Sequence, residues 1–345
     1  MKLTIGMAHY DDFHGAYFTI QNIRKELMFT GNEDLLNRIE FVIVDNNPKS
    51  AHGVALNRFV KNNVVATNHV KMIRMEENRG TSVSRNRVMQ IATGDFCLVM
   101  DCHVMLCPAA EVIKRLFQFM ENNPDTPHIY SGPLVSDDLL TTHTHFNDVW
   151  SSGMWGQWGS SFACTCGQIF TGIKSDKCII YRDLMSQEEI QRCVHCACRL
   201  PEIQFYGWRK KLKELGYTDA GIGHDQFEIP SQGLGTFFVK RDKWLGFNPH
   251  CRGFGGEEGY IHEKYRQFGH KAICLPFLKW LHRFARPDGV KYELTVDNKL
   301  RNYVLEFTEL DLDLEPVHKE FVEGGKFDEN KYNQFIEEAK SIYGK

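Results

Sequence analysis

The 345-residue chain lacks any run of 18 apolar residues, the length a helix needs to cross a hydrocarbon core. Nor is charge of one sign in excess: 41 Lys and Arg stand against 44 Asp and Glu, for a net charge of -3. Composition therefore gives no overall electrostatic case for nucleic acid or an anionic membrane, and leaves open only a local basic patch. Met1-Lys2-Leu3 leads straight into an apolar stretch too short, and too soon followed by charge, to be a secretory signal. A soluble, cytoplasmic protein is expected. Internal repeats and low-complexity linkers are also missing. No Gly-x-Gly-x-x-Gly follows the first predicted strand, which disfavours a dinucleotide-binding fold of the usual kind.

What is present is enough apolar residue to build a sizeable core, 42% of the chain, and a length that suggests one large domain with an insertion, or two domains. The eleven cysteines are unevenly spread, with six of them between 164 and 198. An odd count clustered in this way fits metal ligation in a reducing compartment better than a disulfide framework.

The organising stretch is Gly94-Asp-Phe-Cys-Leu-Val-Met-Asp-Cys-His103. Residues 96–100 form a short continuous apolar run after a turn signal, the pattern of a parallel strand covered on both faces. Asp101 and His103 stand where the strand stops, and in open α/β sheets the ligand crevice lies beyond the carboxyl ends of the strands. Two residues apart in extended chain, they project to one side and can share a divalent cation. Upstream, strands are expected at 3–8, 41–44 and 70–75, and helices at 15–29, 54–60 and 81–92, the last capped by Thr81 or Ser82. Strands and helices in alternation describe a parallel, nucleotide-binding α/β half-domain.

Five pieces occur in order: Thr4-Ile-Gly-Met-Ala-His-Tyr-Asp-Asp12, Val42-Ile-Val-Asp-Asn-Asn-Pro48, Asn78-Arg-Gly-Thr-Ser-Val-Ser-Arg-Asn-Arg87, Ala92-Thr-Gly-Asp95 and Met100-Asp-Cys-His103. Together they resemble a family 2-type glycosyltransferase with the GT-A fold, the Rossmann-like fold of transferases that use nucleotide-diphospho-sugars. The Asp-x-His variant of the metal motif resembles the polypeptide N-acetylgalactosaminyltransferases. The resemblance implies that Ala8, Tyr10 and Asp45 hold the base and ribose of a nucleotide-sugar, with UDP as the expected nucleotide. It implies that Gly80, Arg85 and Asp101 lie near the pyrophosphate or sugar. Asp101 and His103, with His282 after a later strand, would hold Mn2+ or Mg2+.

Phe254-Gly-Gly-Glu-Glu258 opens a predicted helix with two acidic residues in its first turn, where they also suit the helix dipole. The stretch resembles the Trp-Gly-Gly-Glu-Asp/Asn segment of these transferases, with Phe254 and Glu258 as departures. On that alignment Glu258 is the catalytic base and Glu257 its support. Further strands are expected at 236–239 and 272–276, and helices at 298–307, 316–322 and 329–342. Trp150, Trp155 and Trp158 could bound a sugar pocket or belong to the core.

Between the halves, Cys193 and Cys196 have the chelating Cys-x-x-Cys spacing, and Cys164 with Cys166 completes a tetrahedral set for structural zinc. Cys178, His195 and Cys198 are alternates. Residues 209–211, all basic, lie beside Phe205, Tyr206 and Trp208; they could touch phosphate and stack on bases or form an ordinary solvated helix. The expected architecture is thus α/β of GT-A type. Residues 1–155 form the nucleotide-sugar-binding half, 156–224 a Cys-rich zinc insertion, 225–290 the acceptor and catalytic half, and 291–345 a helical C-terminal extension. The expected activity is metal-dependent transfer of a hexosyl or pentosyl group from a nucleotide-diphosphate donor to a hydroxyl. A modified base in DNA is the sharpest acceptor, with polysaccharide, lipid or protein as alternatives. Two other classes compete: a nucleotidyltransferase, and a zinc-dependent nucleic-acid-binding module with an inactive transferase core.

Overall fold

The structure, a computed structural model, describes all residues except 68, 138, 140–141, 164–168, 172–177, 183–188, 194–198, 201–217, 220–225 and 287–288, and gives only the backbone for 63–67 and for the strands within 161–219. Its first third alternates β1 (Leu3–His9), α1 (Phe13–Phe29), α2 (Glu33–Leu36), β2 (Ile39–Asp45), α3 (Ala51–Thr67), β3 (Val70–Arg74), α4 (Gly80–Ile91) and β4 (Phe96–Asp101). Strand β2 is buried along its whole length, as a parallel strand covered on both faces must be. Of its two acidic residues, Glu40 accepts hydrogen bonds from Lys71, Thr4 and Thr93, which meets the cost of burying a carboxylate.

After β4 come β5 (Val104–Leu106), α5 (Ala109–Asn122), β6 (Ile129–Ser131), β7 (Leu134–Val135), β8 (Thr142–His143), and the antiparallel pair β9 (His145–Ser151) and β10 (Met154–Gly159). Six short strands follow: β11 (Ser161–Ala163), β12 (Ile169–Thr171), β13 (Cys178–Arg182), β14 (Glu189–Cys193), β15 (Arg199–Leu200) and β16 (Thr218–Asp219). The chain then forms β17 (Phe227–Glu228), β18 (Thr236–Lys240), α6 (Glu257–Gln267), β19 (Ala272–Cys274) and β20 (Trp280–His282). It ends in α7 (Val296–Glu309), α8 (Glu315–His318) and α9 (Glu329–Tyr343).

The main sheet has eight strands in the order β17-β19-β6-β18-β4-β1-β2-β3, and a second sheet runs β5-β20-β7-β8. Strands β4, β1, β2 and β3 are mutually parallel, whereas β18 runs antiparallel to β4 and β6. The strand order turns at β1, and the register aligns Ala8 with Asp101 and His9 with Asp45. Four residues at carboxyl strand ends therefore form one ledge, where an α/β sheet binds its ligand. The second sheet brings β20 antiparallel to β5, with His282 opposite Val104. This pairing carries a residue from the far end of the chain next to the Asp101-x-His103 corner.

Several predicted elements are found with shifted bounds. Helix α4 differs at its start: neither Thr81 nor Ser82 caps it. Its first residue, Gly80, has φ of +80°, and its amide is taken by Asn78 Oδ1, while the Thr81 amide goes to Gly253 O. A Cβ on Gly80 would lie 2.4 Å from the Gly253 backbone, so the close approach and the left-handed backbone both require glycine. Helix α5 is an unpredicted element. The indoles of Trp150 and Trp155 lie parallel, 6.1 Å apart, and pack into the core formed by α7, α8 and α9. No helix among the described residues is long and apolar enough to cross a membrane.

Candidate active site and metal centre

A cleft of about 680 Å³ opens above the ledge, lined by Ala8, His9, Tyr10, Asp12, Asn46, Asn78, Gly80, Thr81, Arg85, Asp101, Cys102, His103, Gly253, Phe254, Tyr292 and Glu293. Of the residues expected to hold a nucleotide-sugar, Ala8, Tyr10, Gly80, Arg85 and Asp101 are in this wall. Asp45 meets the cleft only through His9. Its carboxylate is fully buried and accepts from His9 Nδ1 at 2.9 Å and from the Asn47 amide at 3.1 Å. The family resemblance implies Asp45; His9, which lines the cleft, is not among the expected residues.

Asp101, His103 and His282 converge at one end of the cleft, with one ligand atom from each within 4.8 Å of the others. The two Nε2 atoms are 3.1 Å apart, and Asp101 Oδ2 lies 3.5 Å from that of His282. One carboxylate and two imidazoles form a donor set of the hardness that Mn2+ and related ions accept. The surroundings fit that use. His103 Nδ1 donates to Asp12 Oδ2 at 2.9 Å, which fixes the tautomer and turns the Nε2 lone pair toward the shared point. Asp12 is held in turn by Arg283, at 2.9 and 2.8 Å, and its backbone amide donates to His9 Nε2 at 3.2 Å. A continuous line of contacts thus runs from Asp45 through His9 and Asp12 to His103.

Burial by itself raises the Asp101 proton affinity, but the Arg85 guanidinium and the His282 hydrogen bond outweigh it and hold the carboxyl well below its usual range. Asp12 behaves likewise: burial is outweighed by His103 and Arg283. Burial lowers the His282 pKa, leaving a neutral imidazole able to ligate. Arg85 is 3% exposed and donates to Asp101 Oδ1 at 2.8 Å and to Leu234 O at 3.0 Å. Its Nη1 faces Glu257 Oε1 at 3.7 Å, and neither of those two atoms has a hydrogen-bond partner.

Glu257 and Glu258 open α6, as predicted, but their surroundings differ. Glu257 is 1% exposed, and its other oxygen accepts the Gly255 amide at 2.9 Å. Glu258 is half-buried, and burial, then the neighbouring Glu257 charge, push its carboxyl up to about 8. Neither side chain is in the cleft wall. Behind them, Asn302 Nδ2 on α7 donates to the carbonyls of Arg252 and Gly255, both at 2.9 Å, and its Oδ1 accepts the Arg252 amide at 3.1 Å. Helix α7 thereby clasps the Gly253–Gly256 turn, a role that its amphipathic sequence did not reveal.

The zinc assignment falls largely outside the described residues: Cys164, Cys166, His195, Cys196 and Cys198 are not described. The backbone of β13 and β14 sets Cys178 opposite Cys193, and nothing is described of their side chains. The basic and aromatic stretch at 205–211 also lies outside.

Residues 17–176 match the model of the family described as Glycosyl transferase family 2. No curated protein matches the chain in sequence. Among solved structures it is similar to GalNAc-T7, a structure containing UDP, GalNAc and Mn2+, with a TM-score of 0.53 and 14% identity over 99% of this chain and 54% of that one. The chain thus spans about half the length of GalNAc-T7. It also resembles the mannosyltransferase PcManGT of Pyrobaculum calidifontis with GDP-Man and Mn2+, at a TM-score of 0.46 and 11% identity over 99% of this chain and 73% of that one. TarS of S. aureus with UDP-GlcNAc gives a TM-score of 0.43 and 11% identity over the same shares, 99% and 73%. Residues 17–176 thus match Glycosyl transferase family 2, and the parallel ledge and the Asp-x-His corner sit in a fold shared with GalNAc-T7, of GT-A type.

Proposed function

We propose that the protein is a metal-dependent glycosyltransferase, moving a hexosyl or pentosyl group from a nucleotide-diphosphate sugar, a UDP-sugar in the first instance, to an acceptor hydroxyl. The observation that carries the reading is the convergence of Asp101, His103 and His282 at the end of a cleft lined by Ala8, Tyr10, Gly80 and Arg85. A bound divalent cation supplies Lewis-acid charge to the leaving diphosphate. Asp101, His103 and His282 would hold it. Arg85 keeps Asp101 ionised and aimed, and Asp12 sets the His103 tautomer. The ledge residues Ala8, His9 and Tyr10 bound the nucleoside end, with Asp45 steadying His9 from beneath. Glu258 is the proposed base for the acceptor hydroxyl, and Glu257 its support through Arg85 and the Gly255 amide. Turnover of UDP-sugars by purified protein, with and without chelator, tests this reading.

Six cysteines in 35 residues and the facing backbone positions of Cys178 and Cys193 favour structural zinc at Cys164, Cys166, Cys193 and Cys196, with Cys178, His195 and Cys198 as alternates. Such a module would shape acceptor recognition. Basic residues 209–211 beside Phe205, Tyr206 and Trp208 make a modified base in DNA the sharpest version. Metal analysis of protein purified without chelator tests the zinc. Removal of the 209–211 charges tests the DNA, since unchanged transfer to a DNA acceptor is the contrary result.

A further inference from the structure

His103 Nε2 is the target of two groups at once: Arg286 Nη2 lies 2.5 Å from it and His282 Nε2 3.1 Å. Because Nδ1 of His103 donates to Asp12, Nε2 carries the lone pair. A guanidinium can only donate. Arg286 therefore directs an N–H at the same lone pair that a metal ion at Asp101, His103 and His282 would use. An imidazole nitrogen has one lone pair, so the two uses exclude each other. The guanidinium also lies close enough to Tyr292 to lower the proton affinity of its hydroxyl against burial, and Tyr292 is set edge-on to Tyr10 with ring centroids 6.3 Å apart. The Nε of Arg286 is buried with no hydrogen-bond partner, so its present seat leaves one donor unmet, a cost that departure relieves.

We propose that Arg286 is a built-in competitor for the metal site, its guanidinium occupying the His103 lone pair until a divalent cation displaces it. The inference rests on the metal-site reading above and adds a consequence for binding order. A displaced guanidinium seeks an anion, and a nucleoside diphosphate in the adjoining cleft supplies one. Metal and nucleotide then bind cooperatively, because each relieves a cost that the other meets alone, and the coupling is reciprocal.

Calorimetric titration of Mn2+ into the whole protein, with and without saturating UDP, tests this in the parent, Arg286→Ala and Asp101→Ala. Loss of a hydrogen bond from a charged group that must be broken before the metal enters corresponds to about tenfold tighter Mn2+ binding by Arg286→Ala without UDP. The strengthening of Mn2+ binding by UDP should shrink in that variant by a similar factor. Arg286→Gln, which keeps an amide donor without the charge, should fall between the two. Mn2+ binding by Arg286→Ala that is equal to or weaker than the parent's overturns the inference and leaves the metal site standing. If neither protein binds Mn2+, or if Asp101→Ala binds it as the parent does, the metal site fails and the inference with it.

Discussion

Arg85 Nη2 donates to Asp101 Oδ1 at 2.8 Å, while Nη1 of the same guanidinium faces Glu257 Oε1 at 3.7 Å. One nearly inaccessible cation thus ties the metal corner at the end of β4 to the first turn of α6. Removing one partner of a buried charge set leaves the others uncompensated, at a cost of about 3–5 kcal/mol. Arg85→Ala should therefore lower unfolding stability by about that amount in urea titration, and Arg85→Lys by less. An unchanged midpoint in Arg85→Ala would show that solvent already screens Asp101 and Glu257.

Asp12 has two tasks that one substitution separates. Its Oδ1 accepts the Gly15 amide at the start of α1, at 3.1 Å, and its Oδ2 accepts from His103. Asp12→Asn keeps a good helix cap but removes the negative charge that orients and polarises the imidazole. Carboxylates behind metal-binding histidines are worth about tenfold to a hundredfold in metal affinity, so Mn2+ binding should weaken by that factor with little loss of stability. Equal Mn2+ affinity in Asp12→Asn would mean that His103 is not a ligand.

Glu258 supplies a pH signature. Its folded pKa is raised to about 8 by burial and by Glu257, so the carboxyl is mostly protonated at neutral pH. A base must be ionised to accept the acceptor proton. Transfer should rise with pH through about 8, and Glu258→Gln should lose that limb and about 10²- to 10⁴-fold in rate. If Glu258→Gln keeps both the rate and the limb, the proton goes elsewhere.

Acid stability reports on β2. Burial raises the Glu40 pKa, but hydrogen bonds from Lys71, Thr4 and Thr93 outweigh it and bring the carboxyl down to about 2 from 4.5. A depressed folded pKa gives stability that is present above the unfolded value and lost as pH falls through the folded one. Between about pH 5 and 2 the fold should lose about 3 kcal/mol through this group, and Glu40→Gln should flatten that part of the curve. An identical acid limb in the variant would place the loss in other carboxylates.

The parts of this design that are local in sequence were legible in it. Continuous apolar runs predict β1, β2 and β4, and the polar end of β4 points to Asp101 and His103; Ala8 and Tyr10 follow from the family resemblance, and all four are in the cleft wall. His282 was reached through a family resemblance, because only the pairing of β20 with β5 brings it to His103, 179 residues away. Contacts that exist only through space carried no signal. Asp12 reads as a turn former yet meets His103 91 residues on, and Arg286 meets it across 183. Asn302 reads as a polar residue on a helix, since its partners are backbone atoms of a distant glycine turn. Trp150 and Trp155 show the converse: aromatic composition is the same for a sugar platform and for a core, and here they join the core under α7.

In the proposed reaction, Asp101, His103 and His282 bind the cation that makes sugar transfer from a nucleotide possible. The direct measurement is release of UDP from UDP-sugars by purified protein, followed with Mn2+, with excess chelator, and with Mn2+ restored, in the parent and in folded Asp101→Ala. The expected result is release with Mn2+, loss in chelator, recovery when Mn2+ is returned, and none above background in Asp101→Ala. Release by the parent that is unaffected by excess chelator, or release by Asp101→Ala at the parent rate, would contradict it.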